Sequence, residues 1–385
     1  MNLGQKQKLD YYVGGGLIFF LRPLVFALGH LLRRDHEHRA GGAVCVQKLV
    51  GGGSLLLAFP ALLGLRKQRP DAEISLLCSR EVAAFAETLG VFDRLIVIDD
   101  SSPLRLVRSS LSAWWACLGV DTVVDFEVHS RLSTIFSVFT GARNRLGFFL
   151  HDVFWRRGLH THLIFFNRYS GSYFFYEKAM ELVGAEPATM AECGARVREH
   201  LPSVPDARPA ERTCIGASCS DLAPERMLTP EHWRRVFVER ASGAEARHFV
   251  FLGAARDRAL AEEILEKARA ALPQHRYENR CGELALPESL AELAGASEYW
   301  GVDSGLLHYA RLFGLRCLSW WGPTDPATRL KPVVGLEEEV VYRKLPCSPC
   351  VHLAEAAPCR GNNLCIQNLF EPPQQGDPEW SPYVV

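Results

Sequence analysis

The chain has 385 residues, which at roughly 100 to 200 residues per domain points to two domains and excludes a single small binding module. With 48% hydrophobic and 23% charged residues it has ample core, so disordered and fibrous classes are excluded. Lys and Arg number 43 against 44 Asp and Glu, leaving no overall field that would recruit a polyanion such as nucleic acid.

In chain order, the first feature is an apolar run of twenty residues at 13–32, VGGGLIFFLRPLVFALGHLL. It is long enough to span a bilayer, but a central Arg22 costs about 3 kcal/mol and Pro23, His30 and the glycines weaken it further. No small-residue cleavage site follows, so it does not read as a secretory signal. Residues 1–40 hold six Lys or Arg (Lys6, Lys8, Arg22, Arg33, Arg34, Arg39) against three acids (Asp10, Asp35, Glu37). That excess suits a helix lying on an anionic leaflet. Packing on the protein's own surface and spanning are the alternatives.

From Ala43 short β-branched runs alternate with helical periodicity. Strands are expected at 43–46, 74–77, 95–98 and 122–125, and helices at 55–68, 81–89 and 103–118. A proline-rich stretch at 201–213 reads as a linker. Beyond it the alternation restarts, with strands at 214–216, 248–252, 298–301 and 317–321 and helices beginning at Pro230, Arg256 and Gly305. Two Rossmann-like α/β halves with a cleft between them follow, and their useful residues belong at the carboxyl ends of strands.

The loops there are informative. Lys48-Leu49-Val50-Gly51-Gly52-Gly53-Ser54 is a glycine-rich turn opening a helix, able to hold an anion or to be a tight turn only. Asp125-Phe126-Glu127-Val128-His129-Ser130-Arg131 gathers two carboxylates, a His and an Arg, with alternation placing Asp125, Glu127 and His129 on one side. Glu127 and His129 are candidate general bases; a solvated loop with a helix cap is the plainer reading. In the second half Ser218 follows a strand, and Arg226 precedes Thr229-Pro230-Glu231, where Thr229 is the expected N-cap; a hydroxyl plus an Arg suits a diphosphate. Asp303-Ser304-Gly305-Leu306-Leu307-His308 ends another strand. Ser304 is expected to cap the next helix, Gly305 to leave its N–H groups open to phosphate, and Asp303 and His308 to meet sugar hydroxyls or phosphate.

These residues resemble glycosyltransferase family 9, the ADP-heptose:lipopolysaccharide heptosyltransferases. The family motif Asp-Ser/Thr-Gly-x-x-His stands here as Asp303, Ser304, Gly305 and His308, followed by Gly322-Pro323-Thr324-Asp325-Pro326. Pro60-Ala61-Leu62, Asp125 with Arg131, Arg145-Leu146-Gly147, and Gly216-Ala217-Ser218 with Arg226 support it. The resemblance implies a GT-B fold, two Rossmann-like domains facing across a cleft. The expected division is an apolar membrane-associating segment at 1–40, an acceptor-side domain at 41–205, a donor domain at 206–345 and a cysteine-containing tail at 346–385. It also implies an inverting transfer of heptose from ADP-heptose to lipopolysaccharide core or a related lipid-linked glycan. The enzyme would sit peripherally on the inner face of the bacterial cytoplasmic membrane. Ser218, Arg226, Asp303, Ser304, Gly305 and His308 would bind the donor, and Lys48, Gly52, Gly53, Ser54 and Arg131 would form the acceptor and phosphate loop.

One departure matters. The family's usual Gly-Asp at the start of the first helix is Gly53-Ser54 here, and a Ser has no useful basicity at neutral pH. Glu127 or His129 is then expected to supply the base. Other outcomes are a different nucleotide-sugar donor, as in capsule or exopolysaccharide synthesis, or a non-catalytic nucleotide-sugar binder. Of the twelve cysteines, Cys347, Cys350, Cys359 and Cys365 form a C-x2-C-x8-C-x5-C array that could close a structural zinc site, although its second half is not the usual C-x2-C and plain reduced cysteines are the favoured reading. No cofactor is expected for the chemistry.

Overall fold

The computed structural model describes residues 3–31, 42–202, 212–219, 223–243, 245–351, 353, 357, 359 and 362–370. The chain forms two compact units, Met1–Thr189 and Met190–Val385. The division falls earlier than the expected boundary at 205. The expected linker lies largely outside the described residues, as do Arg33, Arg34 and Arg39.

The first unit begins with helix α1 (Leu3–Leu9), a π-turn and α2 (Gly15–Leu31). Next come β1 (Ala43–Lys48), α3 (Gly52–Gln68), β2 (Glu73–Ser79), α4 (Arg80–Leu89), β3 (Arg94–Ile98) and α5 (Pro103–Cys117). β4 (Thr122–Asp125), α6 (Arg131–Phe139), β5 (Asn144–Phe149), β6 (His162–Phe165) and α7 (Ser172–Leu182) complete it. Helix starts follow local chemistry: Ser79, Ser102 and Ser130 each accept a first-turn N–H, and Pro103 follows Ser102 at the first helical position. The six strands are parallel in the order β3-β2-β1-β4-β5-β6.

The second unit holds α8 (Met190–Arg198), β7 (Arg212–Gly216), α9 (Pro230–Ala241), β8 (His248–Phe251), α10 (Arg258–Ala271) and β9 (Arg276–Asn279). α11 (Leu286–Ala294), β10 (Glu298–Val302), α12 (Gly305–Leu312), β11 (Arg316–Trp321), β12 (Glu338–Tyr342) and α13 (Leu364–Phe370) follow. Its parallel sheet runs β12-β11-β10-β7-β8-β9, which is the first unit's winding repeated. In each sheet the strand order reverses between the first and fourth strands, and ligands bind outside the carboxyl ends of strands at such a switch point. The two points lie after β1 and β4, and after β7 and β10.

The N-terminal helix is docked on the first unit. Asp10 caps α6, accepting from the backbone N–H groups of Arg131 (2.9 Å) and Leu132 (2.8 Å) and from Ser130 Oγ (2.8 Å). Ile18, Leu21 and Val25 pack with Leu132, Ile135 and Val138 of α6, while Phe19, Phe20 and Phe26 face outward. Gly4–Leu28 remains long and apolar enough to cross a membrane by length and composition. The tail is likewise integrated, since Cys365, Ile366 and Phe370 of α13 pack on the second unit's core.

Candidate functional site

At the second unit's switch point, β10 ends in Val302 and delivers Asp303, whose Oδ2 is 3.0 Å from Arg226 Nη1. Arg226 is held in a single 3-10 turn, Pro224–Arg226, its Nε also donating to Ala223 O at 3.2 Å. Both side chains are nearly buried. Burial opposes the charge on Asp303, but Arg226, then Arg329 and His308, outweigh it and hold the carboxyl below its usual range. His308, one turn into α12, is buried, and desolvation pushes it down to about 4; Asp303 opposes that shift while Arg311 and Arg329 add to it. His308 is therefore a neutral imidazole at pH 7, able to donate from one nitrogen and accept at the other. Thr229 caps α9 as expected, accepting from His232 N at 3.2 Å.

Ser304 corrects an expectation. It occupies the N-cap position of α12 but makes no side-chain cap bond; its Oγ lies 3.4 Å from Tyr299 Oη. The first-turn N–H groups beginning at Gly305 thus have no side-chain cap, which suits an anion better than a capped end. Tyr299 is the residue the sequence did not flag. Its ring lies across the sheet where a Cβ on Gly216 or Gly301 would come within 2.1 Å or 2.3 Å of the phenol oxygen, so glycine is required in both strands. Ser218 is half-buried just beyond β7 with no hydrogen-bond partner among the described residues. Thr324, in the loop after β11, has a buried hydroxyl without a partner among them. Arg329 is a second cation acting on Asp303, and nothing in the sequence pointed to it.

At the first unit's switch point the structure ties together two expected residues. Glu127 Oε1 accepts from Lys48 Nζ (2.9 Å) and from the backbone N–H of Leu49 (2.7 Å) and Val50 (2.9 Å). Burial opposes the Lys48 charge, but Glu127, with Tyr176 and Asp125, raises its pKa overall. Glu127 therefore braces the glycine-rich turn through Oε1. The turn itself needs glycine: Gly51 has φ +81°, and a Cβ on Gly52 would meet the Phe85 ring at 2.3 Å. Gly53 faces open space, and Ser54 Oγ donates to Gly51 O at 2.9 Å, closing the turn.

The expected one-sided row of Asp125, Glu127 and His129 does not form, because β4 stops at Asp125 and period-two alternation ends with it. Asp125 is fully buried against Arg156 (3.2 Å), His160 (3.4 Å) and Ser133 (2.8 Å). Arg156 also binds the carbonyls of Glu127 and Ser130, fixing the whole loop. Neither Arg156 nor His160 carried a sequence signal, since both lie far along the chain from their partner. His129 alone of the three is exposed. Partial desolvation, then Arg168 and Arg156, lowers its pKa, so it is a neutral base at pH 7. Arg131 also departs from expectation. Its guanidinium stacks on Tyr11 (4.7 Å) and Trp155 (5.0 Å), serving the N-terminal helix instead of the glycine-rich turn.

Cys347, Cys350, Cys359 and Cys365 line one small cavity beside Pro323 and Asn363. Among the described residues no three metal-ligating side chains stand together as an ion site, so the zinc alternative for these four cysteines is not assembled. Desolvation raises the Cys350 thiol and pushes Cys365 to about 12, and the neighbouring cysteines of the array add to both shifts.

Two parallel six-stranded sheets with the same winding are the architecture of the GT-B fold. Residues 177–359, from α7 through the second sheet, match the model of glycosyltransferase family 9 (heptosyltransferase). Among solved structures, Escherichia coli ADP-heptose lps heptosyltransferase II aligns with TM-score 0.57 at 15% identity, over 85% of this chain and 98% of that one. E. coli heptosyltransferase WaaC with ADP-2-deoxy-2-fluoro heptose gives 0.59 at 17%, over 77% and 92%. A family 9 glycosyl transferase from Veillonella parvula DSM 2008 gives 0.58 at 17%, over 79% and 86%. At these identities the structural likeness speaks for the fold. No curated protein matches the sequence.

Proposed function

We propose that the protein is an inverting glycosyltransferase that moves heptose from ADP-heptose to lipopolysaccharide core or a related lipid-linked glycan at the inner face of the cytoplasmic membrane. The observation that carries this reading is the Arg226–Asp303–His308 cluster at the second switch point, beside the uncapped start of α12. Arg226 and the α12 N–H groups supply positive charge for the diphosphate as it leaves, and Asp303 with neutral His308 orients the sugar. The acceptor oxygen attacks the anomeric carbon, the bond from that carbon to the phosphate oxygen breaks, and the nucleoside diphosphate departs. His129 takes the acceptor proton, a role that its exposed, neutral imidazole suits, while Glu127 is committed through Oε1 to bracing the glycine-rich turn. ADP-heptose as donor is supported by the family match and by the ADP-sugar ligand of WaaC. The docked apolar helix supports a peripheral membrane position.

The test is release of nucleoside diphosphate on membrane glycolipid extract, with ADP-heptose and UDP-sugars compared side by side. Turnover with ADP-heptose is expected. Turnover with a UDP-sugar alone would replace the donor, and nucleotide-sugar binding without turnover would make the protein a binder, the reading that Ser54 favours.

A further inference from the structure

Helix α5 is apolar on two opposite faces. Inward, Ala113 and Cys117 are buried and Leu106 packs with them against Cys45, Leu77 and Val123 of the sheet. Outward, Leu104 (80% exposed), Val107 (58%), Leu111 (59%) and Trp115 (75%) lie in solvent. At 100° per residue those four positions fall within an arc of about 80°, a continuous stripe on the side opposite the core. A surface helix ordinarily carries polar residues there, and an apolar patch of this kind marks a contact with something else.

The charges beside the stripe say what that something is. α5 has no acidic residue, and on one side of the stripe Arg108 lies at its edge with the exposed Arg105 beyond it. Arg108 has no ion-pair partner among the described residues, and Arg105 makes a long, exposed pair with Asp99 at 3.7 Å. Trp beside aliphatic side chains with Arg at the margin is the composition of a helix lying in the headgroup region of an anionic bilayer. The position agrees. Phe136 of α6 shares the core beneath α5, Trp114 Nε1 donates to Phe139 O at the end of α6 (2.7 Å), and Lys6 pairs with Asp100 just before α5. α5 therefore stands next to α6, on whose surface α2 rests with Phe19, Phe20 and Phe26 facing outward.

We infer that the outward stripe of α5, Leu104, Val107, Leu111 and Trp115 with Arg105 and Arg108, is a second membrane-contact surface that seats the first unit on an anionic bilayer. It rests on the peripheral-membrane reading above, and it adds a contact that fixes rotation about the N-terminal helix, which a single helix leaves free.

The experiment is co-sedimentation of the full chain with phosphatidylglycerol/phosphatidylethanolamine vesicles and with pure phosphatidylcholine vesicles. Three full-chain variants are compared: Leu111→Ser/Trp115→Ser in α5, Arg105→Gln/Arg108→Gln in α5, and Phe19→Ser/Phe20→Ser in α2. All six side chains face solvent in the stripe, its margin or α2, so unchanged melting temperatures are expected in detergent-free buffer. The apolar α5 variant should partition at least tenfold more weakly, and the Arg variant should lose its preference for anionic vesicles. Wild-type partitioning of both α5 variants, with binding lost only in the α2 variant, overturns the α5 surface and leaves the N-terminal helix as the anchor. Absence of vesicle binding by the wild-type chain overturns both readings. A wild-type dimer that the apolar α5 variant converts to monomer, with vesicle binding unchanged, overturns the lipid assignment in favour of a second copy of the chain.

Discussion

Arg226 Nη1 lies 3.0 Å from Asp303 Oδ2, and each side chain is nearly withdrawn from solvent by the strand end and turn that present it. Each charge therefore depends on the other. Removing one partner of such a pair costs roughly 3 to 5 kcal/mol because the survivor is stranded.

Asp303→Asn is expected to lower kcat/KM by about 100-fold or more, the scale of a lost transition-state contact, and to reduce the melting temperature. Arg226→Lys should raise KM for the nucleotide sugar more than it lowers kcat, since it keeps the charge and loses the planar fork. Steady-state kinetics with thermal melts check both; wild-type kinetics in Asp303→Asn would remove this cluster from the donor site.

The two candidate bases should separate cleanly. His129→Ala is expected to lower kcat by ~100-fold to 10,000-fold with nucleotide-sugar affinity intact. Glu127→Gln should act chiefly on the melting temperature and on acceptor KM, because it loosens the brace on Lys48 and the turn. The acid limb of wild-type kcat/KM should fall below pH 6.5, following the lowered His129 pKa, and should vanish in His129→Ala. Full activity of His129→Ala would sink the assignment.

His308 makes stability depend on pH. Its folded pKa is about 4 against an ordinary 6.5, so between those values the unfolded chain binds a proton that the folded chain does not. Stability from this group is present above pH 6.5 and is lost as pH falls toward 4, by about 1.4 kcal/mol per pH unit. Denaturant melts from pH 7 to 4.5 should show a shallower decline in His308→Gln than in the parent chain. Parallel declines would mean that other histidines account for the effect.

Asp10→Ala should cost ~1 to 2 kcal/mol, the worth of a good N-cap, although the cap comes from another helix. Limited proteolysis should then cut within the first thirty residues sooner than in the parent chain. An unchanged digestion pattern would show that Ile18, Leu21 and Val25 hold the helix unaided.

Much of the architecture was readable in advance, because buried parallel strands are dense in β-branched residues and their helices keep a 3.6-residue period. β1, β2, β3 and β4 fall where the runs of Val and Ile place them. β9, α11 and β12 were not anticipated: RYEN and EEVVY sit at sheet edges with polar side chains, and α11 is one short amphipathic helix in a stretch rich in small residues. At the site, Arg226, Asp303 and His308 were legible because they follow strands at fixed offsets. The roles of Glu127 and Arg131 were not. Each is decided by a partner about 80 or 120 residues away, Lys48 in one case and the Asp10–Tyr11 turn in the other, and spacing along the chain carries no record of such pairings.

The Asp10 cap has a practical bearing on how the protein should be handled. Trimming an apolar leader is the ordinary route to a well-behaved soluble enzyme, and residues 1–40 look like an invitation to do so. Here the cut would remove the carboxylate that finishes α6 and the Tyr11 ring beneath Arg131, opening the loop that carries His129. A shortened chain would thus report on a disturbed His129 loop; Ser or Gln substitutions at Phe19, Phe20 and Phe26 gain solubility while the capping turn stays in place.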